Sequence, residues 1–357
     1  MKKLYSLITL LSLTIVMAQN GAPASPYYNG FNWTQNGTAL RDALATKITN
    51  THINNLSYAD VWSALKIVDL DPTNSANVLL VYGWENGTDG DVTNDRSRDK
   101  NNNGGNNGQW NREHIFAQSL GDPDLGSSGP GADAQMLRAC DVQRNGSRAN
   151  KKFATSIGNS ATVGINWYPG DEWKGDCARI VMYMYLRYGS QCLPTYVFTG
   201  SPVTSDANML DLLLQWNAED PISEYEDNRN TYLGTTTNMY GQGNRNPFID
   251  NPYLATVIWG GPIAQNRWPA TFATTSFTSI ADASVYPNPS NGNVVTIESN
   301  VIIDDIQLIT INGQLMIEVK NPVSNSNSYT LENLPHGFYF LKLSSEGQST
   351  TKKLIVN

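Results

Sequence analysis

Two residue types stop abruptly part-way along this 357-residue chain: all nine tryptophans and every arginine lie before residue 270. A stretch rich in Thr, Ser and Ala follows at 270–283, which is typical of a polar linker. The length is sufficient for about two domains. The chain is therefore predicted to contain a large domain over 19–269 and a small domain over 284–357, with the boundary near residue 275.

The first 18 residues have the pattern of a secretory signal peptide. Lys2 and Lys3 precede an apolar run over 4–16, and Ala18 offers a small residue for cleavage. The run is shorter than the roughly 20 residues that a membrane span needs, and it contains four Ser or Thr side chains. Cleavage is therefore favoured over a membrane anchor, and the mature chain is expected to be exported without an integral membrane segment.

The composition excludes two classes of protein. With 40% hydrophobic and 16% charged residues, the chain resembles an ordered soluble protein rather than a disordered or polytopic membrane protein. Its formal charge of −8 becomes about −10 when the leader is removed with Lys2 and Lys3. A chain this acidic repels phosphate polymers as a whole, so binding to nucleic acid would require a local basic segment or a metal ion.

Helix signals and one long polar stretch occur in the large domain. Apolar residues recur at three- and four-residue spacing over 171–188 and again over 209–216, which predicts two helices. Residues 87–109 are rich in Asn, Gly and Asp and predict a surface loop, in which a calcium site is a weaker alternative. Three cysteines allow one disulfide, but no pairing is assigned.

One segment combines the residue types that phosphodiester hydrolysis uses. Of the three histidines, only His114 lies among other reactive types, directly after Arg112 and Glu113. Positions 138–152 then hold five basic residues against the single acid Asp141, a local charge of +4. This segment is predicted to bind phosphate. The basic residues are Arg138, Arg144, Arg148, Lys151 and Lys152.

Each residue type in this segment suits one part of the reaction. An imidazole can take a proton from water at neutral pH, because its unperturbed pKa is near 6.5. Mg²⁺ prefers oxygen ligands, which Glu113 and Asn145 could supply, and the guanidinium of Arg148 could bind a phosphate oxygen. In a regular strand Glu113 and His114 face opposite sides, so both serve one site only where the strand ends. By spacing alone, a structural surface pair and a zinc site stay open as alternatives.

Two motifs and four further segments occur in the order found in one family of secreted nucleases. The motifs are Arg-Glu-His at 112–114, followed by Gln-Ser-Leu-Gly, and Asn-x-x-Arg-x-Asn-x-x-Phe at 145–153. Together the matches resemble the bacterial endonuclease I family over roughly residues 27 to 260. The resemblance implies an α+β fold, with a mostly helical nuclease domain built around a ββα-metal (His-Me) finger. The further segments are 56–62, 175–184, 216–221 and 245–250.

The same resemblance implies roles for individual residues. It makes His114 the general base, and Glu113 and Asn145 the ligands of one Mg²⁺ ion, with Ca²⁺ or Mn²⁺ as alternatives. Arg148 is assigned as the catalytic contact to the scissile phosphate, and Asn150 is the fallback metal ligand. Where many relatives have Asp-Leu-His, this chain has Asp-Ala-Gln at 133–135, and Gln cannot titrate. Further phosphate contacts are assigned to Arg112, Arg138, Arg144 and Lys151.

The small domain is patterned as antiparallel strands. Asn312-Gly313 between two β-prone runs predicts a hairpin. Its opening Val-Tyr-Pro-Asn-Pro at 285–289 and its later Gly-Phe-Tyr at 337–339 are similar to a type IX secretion system C-terminal sorting domain. That resemblance implies a β-sandwich that the type IX machinery recognises after export by the signal peptide.

These observations predict a secreted, Mg²⁺-dependent endonuclease with little sequence preference that leaves 5′-phosphate ends. Its predicted substrate is DNA, with RNA left open, and its location is secreted or cell-surface. An exported surface adhesin or glycan-binding protein without catalysis is the alternative. The nine Trp and 17 Tyr would suit either interpretation.

Overall fold

The computed structural model of the protein describes residues 21–272, 280, 283–299, 301–323, 328–345 and 348–357. The predicted signal peptide and most of the predicted linker lie outside these residues. The chain divides into two units between Phe272 and Ala273. The first unit contains helices and short strands, and the second is all β, so the predicted α+β class is confirmed.

Helices dominate the first unit, and several begin at side-chain caps. Ser57 and Asp60 form a capping box at the start of α2, and Ser223 and Glu226 do the same for α7. Both predicted helices are present, as α4 and α6. No helix in the described residues is both long and apolar enough to cross a membrane. The helices are α1 Gly37–Thr51, α2 Tyr58–Val68, α3 Val142–Arg148, α4 Lys174–Tyr188, α5 Pro194–Val197, α6 Asp211–Glu219, α7 Glu224–Leu233, α8 Pro247–Asp250 and α9 Tyr253–Trp259.

Helix α4 lies in the interior of the first unit and packs against α1, α6 and α8. Its burial extends beyond the apolar stripe that the sequence predicts, because polar residues of the helix are buried as well. Arg179 is fully buried and pairs with Glu226 of α7, with 2.7 Å between Nε and Oε1. A helix fixed by apolar packing and by a buried ion pair is a rigid support for the residues around it.

The strands of the first unit form small sheets: β1-β2-β3, β4-β5, β6-β7 and β8-β9. The predicted loop 87–109 contains strand β3, which pairs with β2, so that prediction is wrong for these three residues. Arg98 of β3 is buried because its guanidinium pairs with Asp141 at 2.8 Å and Asp95 at 3.1 Å. The strands are β1 Leu70–Asp71, β2 Asn74–Leu79, β3 Ser97–Asp99, β4 Trp110–His114, β5 Leu137–Asp141, β6 Ala161–Val163, β7 Asn166–Tyr168, β8 Pro202–Val203 and β9 Asp206–Leu210.

Aromatic and thiol side chains contribute to the core of the first unit. Trp110, Trp167, Trp216 and Trp268 are among its largest fully buried side chains. All three cysteines are buried and free, so the disulfide that the sequence allowed is not formed. Burial raises the pKa of each thiol, which keeps it protonated.

The second unit is a sandwich of two antiparallel sheets, β10-β11-β14 and β13-β12-β15-β16. The predicted hairpin at Asn312-Gly313 joins β12 to β13, and Gly313 adopts the positive φ of 84° that such a turn favours. Apolar residues from both sheets, among them Ile297, Leu308 and Leu341, form its core. The strands are β10 Ser284–Tyr286, β11 Val295–Glu298, β12 Asp305–Thr310, β13 Leu315–Lys320, β14 Ser328–Leu331, β15 Gly337–Ser345 and β16 Gln348–Val356.

Candidate active site

Strands β4 and β5 and helix α3 form a ββα unit. The two strands pair antiparallel, with His114 opposite Leu137. Helix α3 begins directly after β5, because the Asp141 carboxylate accepts hydrogen bonds from the backbone amides of Gln143 at 2.8 Å and Arg144 at 2.9 Å. The fold thus brings the motif at the end of β4 next to the motif carried by α3.

Glu113 and His114 face opposite sides of β4, as adjacent strand residues do. Glu113 lies against Tyr82 and Arg148. His114 lies beside Tyr58, with the ring centroids 5.6 Å apart. Because β4 ends at His114, both side chains stand at the end of the strand. This is the arrangement that the two residues need in order to serve one site.

Glu113 is a buried carboxylate with 2% exposure. The Tyr82 hydroxyl donates a hydrogen bond to its Oε1 at 2.9 Å, and Nη1 of Arg148 lies 3.2 Å from the same oxygen. Burial raises the pKa of Glu113, while Arg148 and Tyr82 oppose that rise. The two partners therefore fix the direction of the carboxylate, and a bound cation would further favour its charged form.

Asn145 of α3 is oriented by its amide nitrogen. Nδ2 donates to Oδ1 of Asn111 at 2.8 Å and to the carbonyl oxygen of Arg112 at 3.4 Å. The second bond places the Asn145 side chain against the peptide bond that precedes Glu113. Because the nitrogen is committed to these acceptors, Oδ1 is the atom that Asn145 can offer to a cation.

The oxygen atoms of Glu113 and Asn145 fit a hard divalent cation. Carboxylate and amide oxygens are ligands of Mg²⁺, which usually keeps several waters and needs few protein ligands. Within the described ranges, no group of three or more His, Cys, Asp or Glu side chains is placed to hold a metal ion. Glu113 and Asn145 would hold such an ion together with water. The zinc alternative, which calls for His or Cys ligands, does not fit this donor set.

His114 is held by a backbone carbonyl. Its Nε2 lies 3.0 Å from the carbonyl oxygen of Gly131. A carbonyl oxygen can only accept, so Nε2 carries the proton of the neutral ring and Nδ1 has a free lone pair. Burial lowers the pKa of His114 to about 4, although the bond to Gly131 opposes this shift. At neutral pH the ring is therefore uncharged and can accept a proton at Nδ1.

Arg148 lies in the interior rather than at a substrate surface. It is 1% exposed, which does not fit the predicted contact with a scissile phosphate. Its guanidinium donates to the carbonyl oxygens of His114 and Ile115, both at 2.8 Å, and pairs with Glu113. Arg148 thus joins α3 to three consecutive residues at the end of β4. The structure places Arg148 among backbone oxygens and the Glu113 carboxylate, and not at the surface where the sequence predicts a phosphate contact.

The local charge of +4 does not form one exposed patch. Arg138 is fully buried, so a phosphate contact does not fit it either. Arg144 is half-buried, and its guanidinium carbon lies 4.4 Å from the centroid of the Trp84 ring. Lys151 donates to a carbonyl oxygen of α3 and is half-exposed. A charge count along the sequence includes interior arginines that bind backbone oxygens, and it therefore overstates the charge at the surface.

Arg112 lies on the same side of β4 as His114. Its guanidinium carbon is 3.4 Å from the ring centroid of Tyr58 and 4.3 Å from that of Trp62. It also donates a hydrogen bond to the carbonyl oxygen of Tyr58. This stacking fixes a partly exposed cation beside the histidine.

Two side chains from the same motifs lie outside this arrangement. Asn150 is exposed beyond the end of α3, and its Nδ2 lies 3.4 Å from Oγ of Ser119. Asn145, by contrast, bonds to the carbonyl oxygen of Arg112, which precedes Glu113, so the geometry favours Asn145 as the second oxygen donor. Gln135, where relatives have His, is buried and donates to the carbonyl oxygen of Asn244 at 3.1 Å, which is a structural contact.

Two residues of the site carry no signal in the sequence. Tyr82, which binds Glu113, is 31 residues away along the chain. Gly131, which binds His114 through its backbone, is 17 residues away. A tyrosine after an apolar run is typical of a core, and a backbone carbonyl leaves no mark on residue type. Only the fold brings them to the site.

Comparison with known families gives two matches. Residues 36–253 match the Endonuclease I family, and residues 284–357 match the secretion system C-terminal sorting domain. The extracellular ribonuclease of Bacillus subtilis (strain 168) is 41% identical over 255 residues, which cover 67% of this chain and 82% of that protein. The extracellular ribonuclease of Bacillus amyloliquefaciens is 40% identical over 235 residues, covering 63% and 75%.

The first match spans more than half of the chain and includes the whole ββα unit. The protein is therefore a nuclease, and the alternative of an adhesin without catalysis is wrong. The sorting domain makes it an exported, secreted or surface protein, and the predicted recognition of both regions is confirmed. This chain belongs to the endonuclease I family and ends in a secretion system sorting domain.

Proposed function

We propose that the protein is a metal-dependent endonuclease that cuts DNA and RNA with little sequence preference and leaves 5′-phosphate ends. One observation carries the proposal. Nε2 of His114 is bonded to the Gly131 carbonyl oxygen, which leaves Nδ1 to accept a proton. The adjacent Glu113 carboxylate is held by Tyr82, and the Asn145 amide is held by the carbonyl oxygen of Arg112, the residue before Glu113. A base together with two oxygen donors for a divalent cation suits hydrolysis at a phosphate.

In this proposal Nδ1 of His114 takes a proton from water as the water oxygen attacks phosphorus. The bond from phosphorus to O3′ breaks, so the phosphate stays on the 5′ carbon of the next nucleotide. Glu113 and Asn145 would hold one Mg²⁺ ion, or Ca²⁺ or Mn²⁺ in its place. When bound, the ion supplies positive charge for the phosphorane oxygens and for the leaving O3′ oxygen.

Contacts to the nucleic acid backbone are proposed for Arg112, Arg144 and Lys151. All three are at least partly exposed and close in sequence to the ββα unit. Contacts to phosphate carry no base information, and DNA and RNA share the phosphate. The ribonuclease names of the two Bacillus relatives support including RNA as a substrate.

Export is proposed to take two steps. The N-terminal signal peptide would direct the chain across the inner membrane, and the type IX machinery would then recognise residues 284–357. The nuclease would be released or anchored at the cell surface.

The secreted chain can be tested directly on plasmid DNA, single-stranded DNA and RNA, each with Mg²⁺ and with excess EDTA. We expect all three polymers to be cleaved only when Mg²⁺ is available. End-group analysis of the products should find 5′-phosphates. Undiminished activity in EDTA would reject the metal, and 3′-phosphate ends would reject the proposed direction of attack.

Magnesium binding is expected to depend on Asn145 and not on Asn150. Mg²⁺ should raise the melting temperature of the wild-type protein, because a ligand that binds only the folded state stabilises it. The Asn145→Ala variant should lose most of this increase, because Oδ1 is one of two protein ligands. Asn150→Ala should keep it, because that side chain is exposed and its amide lies against Ser119. The opposite result in a thermal-shift titration would assign the fallback ligand instead.

Activity is expected to persist in acid. With the pKa of His114 lowered to about 4, Nδ1 stays unprotonated at pH 5. At saturating Mg²⁺, kcat/KM at pH 5 should stay within about twofold of its value at pH 7, whereas an unperturbed histidine would lose about 25-fold. Mg²⁺ must be saturating because the pKa of Glu113 is raised, so that protons compete with the ion for its carboxylate in acid. A plasmid-nicking profile that falls through pH 6.5 would contradict the assignment.

A further inference from the structure

Asp133 is a buried acid to which the proposed reaction gives no role. Its Oδ2 accepts hydroxyl hydrogen bonds from Tyr183 at 2.7 Å and Tyr188 at 2.9 Å, both on α4. Its Oδ1 accepts from Nε2 of Gln242 at 2.8 Å and from the backbone amide of Gln135 at 2.9 Å. These four donors satisfy the carboxylate without an ion pair among the described residues. The two tyrosines attach Asp133 to α4, the helix in the interior of the unit.

The segment around Asp133 contacts His114 in two ways. Two residues before Asp133, the carbonyl oxygen of Gly131 accepts from Nε2 of His114. Four residues after it, Leu137 is the partner of His114 in the β4-β5 pairing. The carbonyl oxygen of Asp133 accepts from the backbone amide of Leu137 at 3.2 Å, which closes the turn between them. The segment that contains Asp133 therefore contacts both the ring and the backbone of His114.

Gly131 has little freedom to move by itself. A Cβ atom at this position would lie 1.8 Å from the carbonyl oxygen of Gly126, so the two backbone segments are in close contact. The amide of Gly131 also donates to the carbonyl oxygen of Ser128 at 3.2 Å. Its carbonyl group is thus placed by the segment as a whole, and Asp133 is the point at which that segment is attached to α4.

We infer that Asp133 is a positioning residue: by attaching residues 131–137 to α4, it holds the Gly131 carbonyl against Nε2 of His114 and keeps Nδ1 free. The inference rests on the proposed role of His114 as the base. If the carbonyl shifted by about an ångström, the hydrogen bond would weaken and the ring proton could move to Nδ1. The lone pair that takes the proton from water would then be lost.

The Asp133→Asn variant of the full chain tests this inference. Asparagine has the same shape but accepts through one oxygen, so its amide group would face two of the four donors. We expect kcat to fall by about 10- to 100-fold while KM stays within about twofold. In the metal-free protein at pH 7, ¹⁵N spectra of the imidazoles should change from the Nε2–H form of His114 to a mixture. Tyr188→Phe removes one of the four donors and should show a smaller loss of kcat and a smaller change in the ring form of His114. This variant tests the inference if Asp133→Asn does not fold.

Asp206 provides a matched control. It is a shielded acid of β9 that also accepts from a hydroxyl of α4, that of Tyr185, at 3.0 Å. It accepts from Nε1 of Trp259 at 3.2 Å and pairs with Arg41 at 3.2 Å. Asp206→Asn should therefore lower stability without changing kcat or the ring form of His114. Folded Asp133 and Tyr188 variants with wild-type kcat and ring form would overturn the inference, as would equal losses in the control. The spectra need neither substrate nor metal. If the wild-type protein were inactive, the proposed function would be rejected, but the spectra would still show whether Asp133 sets the ring form of His114.

Discussion

The His114→Ala variant is expected to nick plasmid DNA at least about 1,000-fold more slowly than the wild-type protein. Alanine removes an imidazole that is oriented by a backbone carbonyl oxygen and is neutral at pH 7. The binding of nucleic acid should change little, because the proposed phosphate contacts lie on other side chains. The rate of nicking and the affinity for duplex DNA are the two measurements.

The control for this variant is His336→Ala. His336 is an exposed residue before β15 in the second unit, so its replacement removes an imidazole that belongs to none of β4, β5 and α3. Circular dichroism of both variants should match the wild-type spectrum. If folded His114→Ala kept more than a few per cent of the wild-type rate, another group would have to be the base.

The second large effect is expected at Arg148. Arg148→Met should lower the free energy of unfolding by about 3–5 kcal/mol, because it leaves the Glu113 carboxylate buried without its cation. Arg148→Lys keeps the charge, but one ammonium group cannot reproduce the bonds to Glu113, His114 and Ile115. The lysine variant should therefore fold and lose about 10- to 100-fold in kcat. Urea unfolding followed by circular dichroism measures the first effect, and plasmid nicking the second.

Arg179→Lys is the matched control for these variants. Arg179 is also fully buried and also pairs with a carboxylate, that of Glu226, but its ion pair involves none of residues 113–115. The Arg179→Lys variant should have a lower free energy of unfolding, while its folded fraction keeps the wild-type kcat. Wild-type activity in Arg148→Lys, or an equal loss of kcat in Arg179→Lys, would show that Arg148 has no special part in ordering the site.

The parts of the fold that could be predicted from the sequence depend on short-range pattern. The spacing of apolar residues predicts α4 and α6, and Asn312-Gly313 predicts the hairpin between β12 and β13, since both signals are contained within a few turns of chain. The order of motifs predicts that β4 and α3 belong to one site. The short strand around Arg98 could not be predicted, because its burial depends on Asp141, 43 residues away.

The roles of the arginines could not be predicted for a related reason. Five basic residues in 15 positions indicate a surface that attracts phosphate, but a sequence does not show which of them point inward. Both Arg138 and Arg148 are buried, and each donates to backbone carbonyl oxygens, contacts that residue type alone does not reveal. The same difficulty applies to Tyr82 and Gly131, which reach the site only through tertiary structure.

The distribution of tryptophan has a practical consequence for studies of the whole protein. Every indole belongs to the first unit, and Trp110, Trp167, Trp216 and Trp268 are fully buried there. Their fluorescence emission will shift to longer wavelength when the nuclease unit unfolds and water reaches the rings. The sorting unit contributes no tryptophan signal, so emission spectra of the intact chain report on the melting of the catalytic part alone.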